Sequence, residues 1–155
     1  MLRFQRSRDE RVCLALHFGG FDIDQVIREI GRAYRTGDLE PGIDSLVVLD
    51  PSVAPADVGL SDIVAINACV AAHELGAAQA AGGAELGYRS VFVAPDRASR
   101  IFAHIYTASW TIVPDLSPRH MVLDDIAAAE AALGSADLAD QVHDMRPVAG
   151  VSYLR

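Results

Sequence analysis

Basic charge is scarce in this 155-residue chain: Lys and Arg number 13 against 21 Asp and Glu, for a net charge of −8. The basic residues are scattered, whereas a nucleic-acid face needs them clustered, so nucleic acid is not an expected partner. Cysteine is scarcer still. Cys13 and Cys69 each sit in an apolar pattern and read as small buried thiols in a reducing compartment, not as a disulfide or a metal pair. The apolar stretches are expected to stop short of the ~20 residues a membrane span needs. Met1 to Arg6 lacks the apolar core of a signal peptide, so the expected location is the cytoplasm, without stable membrane insertion.

Several catalytic signatures are missing. Gly19-Gly20 and Gly82-Gly83 have neither the spacing nor the lysine of a phosphate loop. There is no Cys-x-x-Cys, and His73-Glu74 has no second His four residues on. The histidines at 17, 73, 104, 120 and 143 fall in separate elements. No Gly-x-Ser-x-Gly elbow is present. No cofactor or metal is expected, and a non-enzymatic role is favoured.

What the chain does have is apolar residues, 51% of the total, with 22% charged: enough for one domain with a sizeable core. Residues 2–6 and Arg11 to Phe18 read as an opening hairpin. Asp22 or Asp24 caps a helix whose apolar stripe is Ile23, Val26, Ile27, Ile30 and Tyr34, and Thr36-Gly37-Asp38 ends it. Asp44 to Asp50 and Tyr88 to Ala94 are nearly continuous apolar runs, as strands buried on both faces require. Between them, Ser61-Asp62 opens a helix with Leu60, Val64, Ala68, Ala71 and Leu75 expected inward. Pro95-Asp96 starts another, Arg119 to Leu123 is a last strand, and Asp124-Asp125 opens a helix closed by Gly134. The order β-β-α-β-α-β-α-β-α predicts an α/β fold with a mixed, mostly parallel sheet and an N-terminal hairpin. The expected domain is 1–134. Residues 135–155 are expected to be an extension, with a short helix and a loose tail from Arg146.

A set of these features occurs together. A Gly-led helix (Gly20-Phe21-Asp22-Ile23-Asp24) follows the hairpin, and a Pro-Gly turn feeds a strand ending in Asp50. Val91 to Asp96 closes another strand, Ile101 to Tyr106 follows in a helix, and Asp124 to Gly134 forms a terminal helix. The combination resembles the small bacterial STAS/SEC14-like proteins, also called SpoIIAA-like, over residues 3 to 134. The resemblance implies a regulatory or protein-interaction module. Its SEC14 side implies instead a carrier for a small apolar ligand. In the anti-sigma-factor-antagonist branch a serine at the corresponding helix start is phosphorylated. Ser61 stands there by position, without that branch's Asp-Ser-Ser-Gly-type signature, and reads equally as a helix cap.

Two further groups merit weighing. Asp50 and Asp96 end predicted parallel strands, the edge where open α/β sheets bind ligands. They either support acid–base chemistry, the weakest enzymatic alternative, or merely order a loop and cap a helix. Phe102, Tyr106 and Trp110 recur every four residues and line one side of their helix. They are either core, or, if Ile101 and Ile105 seat the helix on the sheet, an outward aromatic interface for a protein partner or a homodimer.

Overall fold

The computed structural model describes residues 1–53, 58–82, 87–110 and 119–147. The part of the expected loop at 54–57, Gly83 and the tail from 148 lie outside them. The described residues form β1 (Leu2–Arg6), β2 (Val12–His17), α1 (Ile23–Thr36), β3 (Asp44–Leu49), α2 (Leu60–Ala80), β4 (Arg89–Val93), α3 (Arg97–Ser109), β5 (Arg119–Leu123), α4 (Ile126–Leu133) and α5 (Leu138–Asp144). The fold is α/β with one mixed five-stranded sheet, ordered β1-β2-β3-β4-β5. β1 runs antiparallel to β2, and β2 to β5 are mutually parallel.

Strand side chains alternate between faces, and the alternation divides the sheet cleanly. Leu14, Leu16, Leu46, Val48, Val91 and Val93 face α4 and α5, joined by Ala129, Leu133, Leu138, Val142 and Met145. Ala15, Val47, Leu49 and Phe92 face α1, α2 and α3. Strands in sequential order with same-handed crossovers put every connecting helix on one side, which is the arrangement seen. Burying each large aliphatic side chain contributes about 1.5–3 kcal/mol.

The helix ends follow the local chemistry. Asp22, Asp96 and Asp125 cap α1, α3 and α4 by accepting from first-turn N–H groups. Gly37 and Gly134 close α1 and α4 at φ 79° and 66°, a left-handed conformation that glycine adopts without strain.

Four expectations are corrected. First, Ser61 does not cap α2. Gly59 is the N-cap, its N–H donates to Asp62 Oδ2 at 2.9 Å, and Ser61 is exposed in the first turn. Second, α2 turns a different face inward. Ile63, Ile66, Asn67, Ala71, Glu74 and Ala78 are buried, while Leu60 and Val64 are exposed. Its many alanines make the apolar stripe nearly symmetric, so periodicity alone could not choose the side. Third, α2 is, by length and composition, apolar enough to cross a membrane, against the expectation from short apolar runs. Here it packs on the sheet and carries a hydrogen-bonded carboxylate within it. Fourth, the core does not end at 134. Leu138, Val142 and Met145 are at most 4% exposed and complete the second face of the sheet.

Arg89 ties three elements together. Its backbone N–H and guanidinium both donate to Asp44 on β3, the backbone bond at 2.7 Å. The guanidinium also donates to the Ala132 and Leu133 carbonyls at the end of α4. A forked cation suits both a carboxylate and a helix C-terminus. Because the pair is partly exposed, Arg89→Ala is expected to cost only about 1–2 kcal/mol in urea unfolding. Arg89→Lys, which keeps charge but not the fork, is expected to recover less than half of that.

Candidate active cavity

The sheet face beneath α1, α2 and α3 is not uniform. Strand register aligns Cys13, Ser45, Ser90 and His120 in one row across β2 to β5. The next row, two residues on, is Ala15, Val47, Phe92 and Val122. A third begins with His17 and Leu49. The first row is polar or thiol-bearing and sits toward the N-terminal ends of the parallel strands. The second is apolar.

Above these rows, each helix contributes three residues at four-residue spacing, which stack on one helical face. They are Val26, Ile30 and Tyr34 from α1; Ile66, Val70 and Glu74 from α2; and Phe102, Tyr106 and Trp110 from α3. Together with the strand rows they line a cavity between the layers, where the space open to the centre of a water-sized sphere is about 120 Å³. Crossover helices run antiparallel to the strands they join, so their C-terminal residues lie over the strand N-termini. That places Tyr34, Glu74 and Trp110 above the row of Ser45, Ser90 and His120. One end of the cavity is therefore polar, and the other, around Phe21, Val26, Leu49 and Phe102, is largely apolar.

The electrostatics of the polar end follow from burial. Glu74 is 2% exposed. It accepts from the Tyr34 hydroxyl at 2.7 Å and the Gly42 N–H at 2.9 Å. Burial raises its carboxyl above the usual range, although both hydrogen bonds pull the other way. Burial, reinforced by the Glu74 charge, pushes the Tyr34 and Tyr88 phenols upward. Burial takes the Tyr106 phenol up to about 12. His120 has its pKa lowered to about 4 by desolvation, so its ring is neutral near pH 7. Neither His120 nitrogen, nor the Trp110 indole N–H, has a hydrogen-bond partner among the described residues. The Trp110 indole N–H approaches the Tyr106 hydroxyl closely enough to oppose the effect of burial on that phenol, but does not reach hydrogen-bond geometry with it. The Trp110 and His120 ring centroids are 5.7 Å apart. Ser45 donates to Ser90 at 3.0 Å.

The structure distributes the sequence-selected residues differently. The aromatic row Phe102, Tyr106 and Trp110 turns inward, with Phe102 and Trp110 buried, while Ile101 and Ile105 are exposed. This reverses the face expected for an outward aromatic interface, because rings of that size bury more area against Phe92 than the isoleucines would. Asp96 spends its oxygens on Ala98 N, Ser99 N and Ser99 Oγ, and is a helix cap. Asp50 accepts from Ser52 N and Oγ and pairs with Arg146, so it orders a loop. Neither aspartate lines the cavity. Cys13 is buried with its thiol pushed up to about 12, and Cys69 is also raised by burial; both are free. His17 and His120 line the cavity, His73 stacks on Tyr34 at 4.2 Å, and His104 and His143 are exposed.

Sequence reasoning passed over Glu74, Tyr88, Ser45, Ser90 and the pairing of His120 with Trp110. A signal existed for Glu74: it is the one carboxylate four residues on from Val70 and eight from Ile66, in the register that Ile30 and Tyr34 share on α1. The class that fold and site define is an α/β domain with a two-ended internal cavity between its sheet and one helix layer. No protein-family model, curated protein or solved structure matches the chain.

Proposed function

We propose that this protein is a STAS/SEC14-like binding module that holds a small, mainly apolar molecule between its sheet and helices α1 to α3, without catalysing a reaction. The observation that carries the reading is the cavity, apolar over most of its wall and furnished with a few convergent polar groups, which is the usual make-up of a small-molecule site. An apolar cavity of ~150 Å³ takes a benzene-sized molecule. A space of about 120 Å³ therefore suits a ligand on the order of one aromatic ring, far short of a phospholipid.

Native mass spectrometry of freshly purified protein is expected to show a retained small ligand, or uptake of added toluene. Ala15→Leu adds three carbons from the apolar row into the space and is expected to weaken toluene binding by about tenfold or more, with folding retained. Uptake unaffected by this substitution, or absent in the unaltered chain, would remove the proposal.

A second reading, self-association as part of a regulatory or protein-interaction role, draws on the exposed apolar residues Leu60 and Val64 on α2 and Ile101 and Ile105 on α3. Light scattering at micromolar concentration checks it: a monomer unaltered by Val64→Asp counts against it.

A further inference from the structure

We infer that the ligand is a small uncharged molecule with an apolar body and one hydroxyl head, of the phenol or short-chain alcohol class, and that the hydroxyl lies at the Trp110–His120 end of the cavity. This deepens the ligand-binding reading above and rests on it.

The first argument is the polarity gradient. The end around Phe21, Leu49 and Phe102 offers a hydrogen-bonding group only the unpartnered Nε2 of His17, whereas the strand N-terminal end gathers Ser45, Ser90, Glu74, Trp110 and His120. A molecule with a single polar atom meets more open partners with that atom at the Trp110–His120 end than beside His17.

The second is a count of what that end leaves open. The indole N–H of Trp110 is a donor, and a neutral imidazole is one donor and one acceptor. None of these has a partner among the described residues. A hydroxyl both accepts and donates, so it can answer the Trp110 N–H and the acceptor nitrogen of His120 together. An ether or ketone oxygen only accepts, and a hydrocarbon answers nothing. Buried polar atoms without partners are costly, so the group that satisfies more of them binds more tightly.

The third is charge. The described lining contains no Lys or Arg. An anionic head would have no counterion and would share the polar end with the buried Glu74 carboxyl. A cationic head would be drawn to Glu74, but both carboxylate oxygens are already held, by the Tyr34 hydroxyl and the Gly42 N–H. The cation would have to shed its water and share oxygens that the Tyr34 hydroxyl and the Gly42 N–H already occupy in part.

Calorimetric titration of the full chain at pH 7.5 with toluene, phenol, anisole, benzoate and benzylamine tests the assignment. Phenol and toluene are nearly the same size, so their difference isolates the hydroxyl. Phenol is expected to bind about tenfold more tightly than toluene, as one well-made buried hydrogen bond gives. Anisole should fall between them, and benzoate and benzylamine below toluene. In Trp110→Phe, which keeps a ring and removes the N–H, the phenol advantage should shrink about threefold or more while toluene affinity holds. The anisole comparison needs no variant and so stands if Trp110→Phe does not fold. Equal binding of toluene and phenol, or benzoate or benzylamine binding as tightly as phenol, overturns the hydroxyl assignment and leaves the carrier reading intact. Failure of all five to bind overturns both.

Discussion

Replacing Glu74 with alanine is expected to destabilise the protein by about 3 kcal/mol, because it strands two donors at once. The Tyr34 hydroxyl and the Gly42 N–H both end on this carboxylate, which joins α2 to α1 and to the turn that precedes β3. For a chain of this size the loss lowers the melting temperature by roughly 10 °C. Glu74→Gln keeps one acceptor and should lose about half as much. The informative measurement is a double-mutant cycle. Tyr34→Phe alone should cost about 1 kcal/mol, and Tyr34→Phe combined with Glu74→Ala less than those two single losses together, since removing both partners of a buried polar pair leaves fewer orphans. Strict additivity in urea unfolding would mean that the two side chains do not act as a unit. The raised carboxyl also sets a sign. Glu74 binds its proton more tightly folded than unfolded, so its contribution is greatest at low pH and is lost as pH rises through its folded value.

His17→Leu is expected to make the protein more acid-resistant. His17 is 4% exposed at the end of β2, edge-on to Phe21 at 4.8 Å, and its Nε2 has no partner among the described residues. Burial, helped by the nearby amino terminus, lowers its pKa from 6.5 to about 4. Below pH 6.5 the unfolded chain takes up a proton that the folded chain refuses, so stability present above that pH drains away as pH falls toward 4. At about 1.4 kcal/mol per pH unit the loss reaches about 2 kcal/mol at pH 5. His17→Leu lacks this loss and places a side chain beside Leu49 that needs no hydrogen bond. Near pH 7.5 the variant should be within about 1 kcal/mol of the unaltered protein. Urea midpoints at pH 7.5 and pH 5 check it. Taking the difference between variant and parent at each pH cancels the opposite trend from Glu74. A gap that does not widen at pH 5 would show that His17 titrates normally in the folded state.

The inner strands β2, β3 and β4 were legible because each is a short run dominated by apolar residues. β1 and β5 fall at 2–6 and 119–123 as expected, and β3 differs at one end by a residue. The helix starts were legible where an aspartate stands before an apolar stripe, as at Asp22 and Asp96. α2 resisted because alanine gives every face nearly the same hydropathy. Its orientation is set by Glu74 reaching Tyr34, a long-range contact that no local pattern encodes. The seating of α3 is ambiguous in the sequence for a related reason. Isoleucine and aromatic stripes compete on one helix, and only the room above Phe92 decides between them. The cavity itself is a product of register. Ser45, Ser90 and His120 look unremarkable in sequence and become one feature only when three strands align. The expected binding edge was the strand C-termini with Asp50 and Asp96, whereas the polar groups gather at the opposite ends of the strands.

The neighbour-by-neighbour strand order has a consequence for how the chain is made. Each strand emerging from a ribosome can add to the one synthesised just before it, so the sheet can grow steadily from its N-terminal hairpin. Its two sides do not become covered together. α1 to α3 arrive interleaved with the strands, but the side bearing Leu14, Leu16 and Leu46 waits for α4 and α5. Only after Met145 has cleared the exit tunnel, and its carbonyl has accepted from Arg3, is that oily surface shielded. That side of the sheet is therefore the last part of the described fold to be covered as the chain is made.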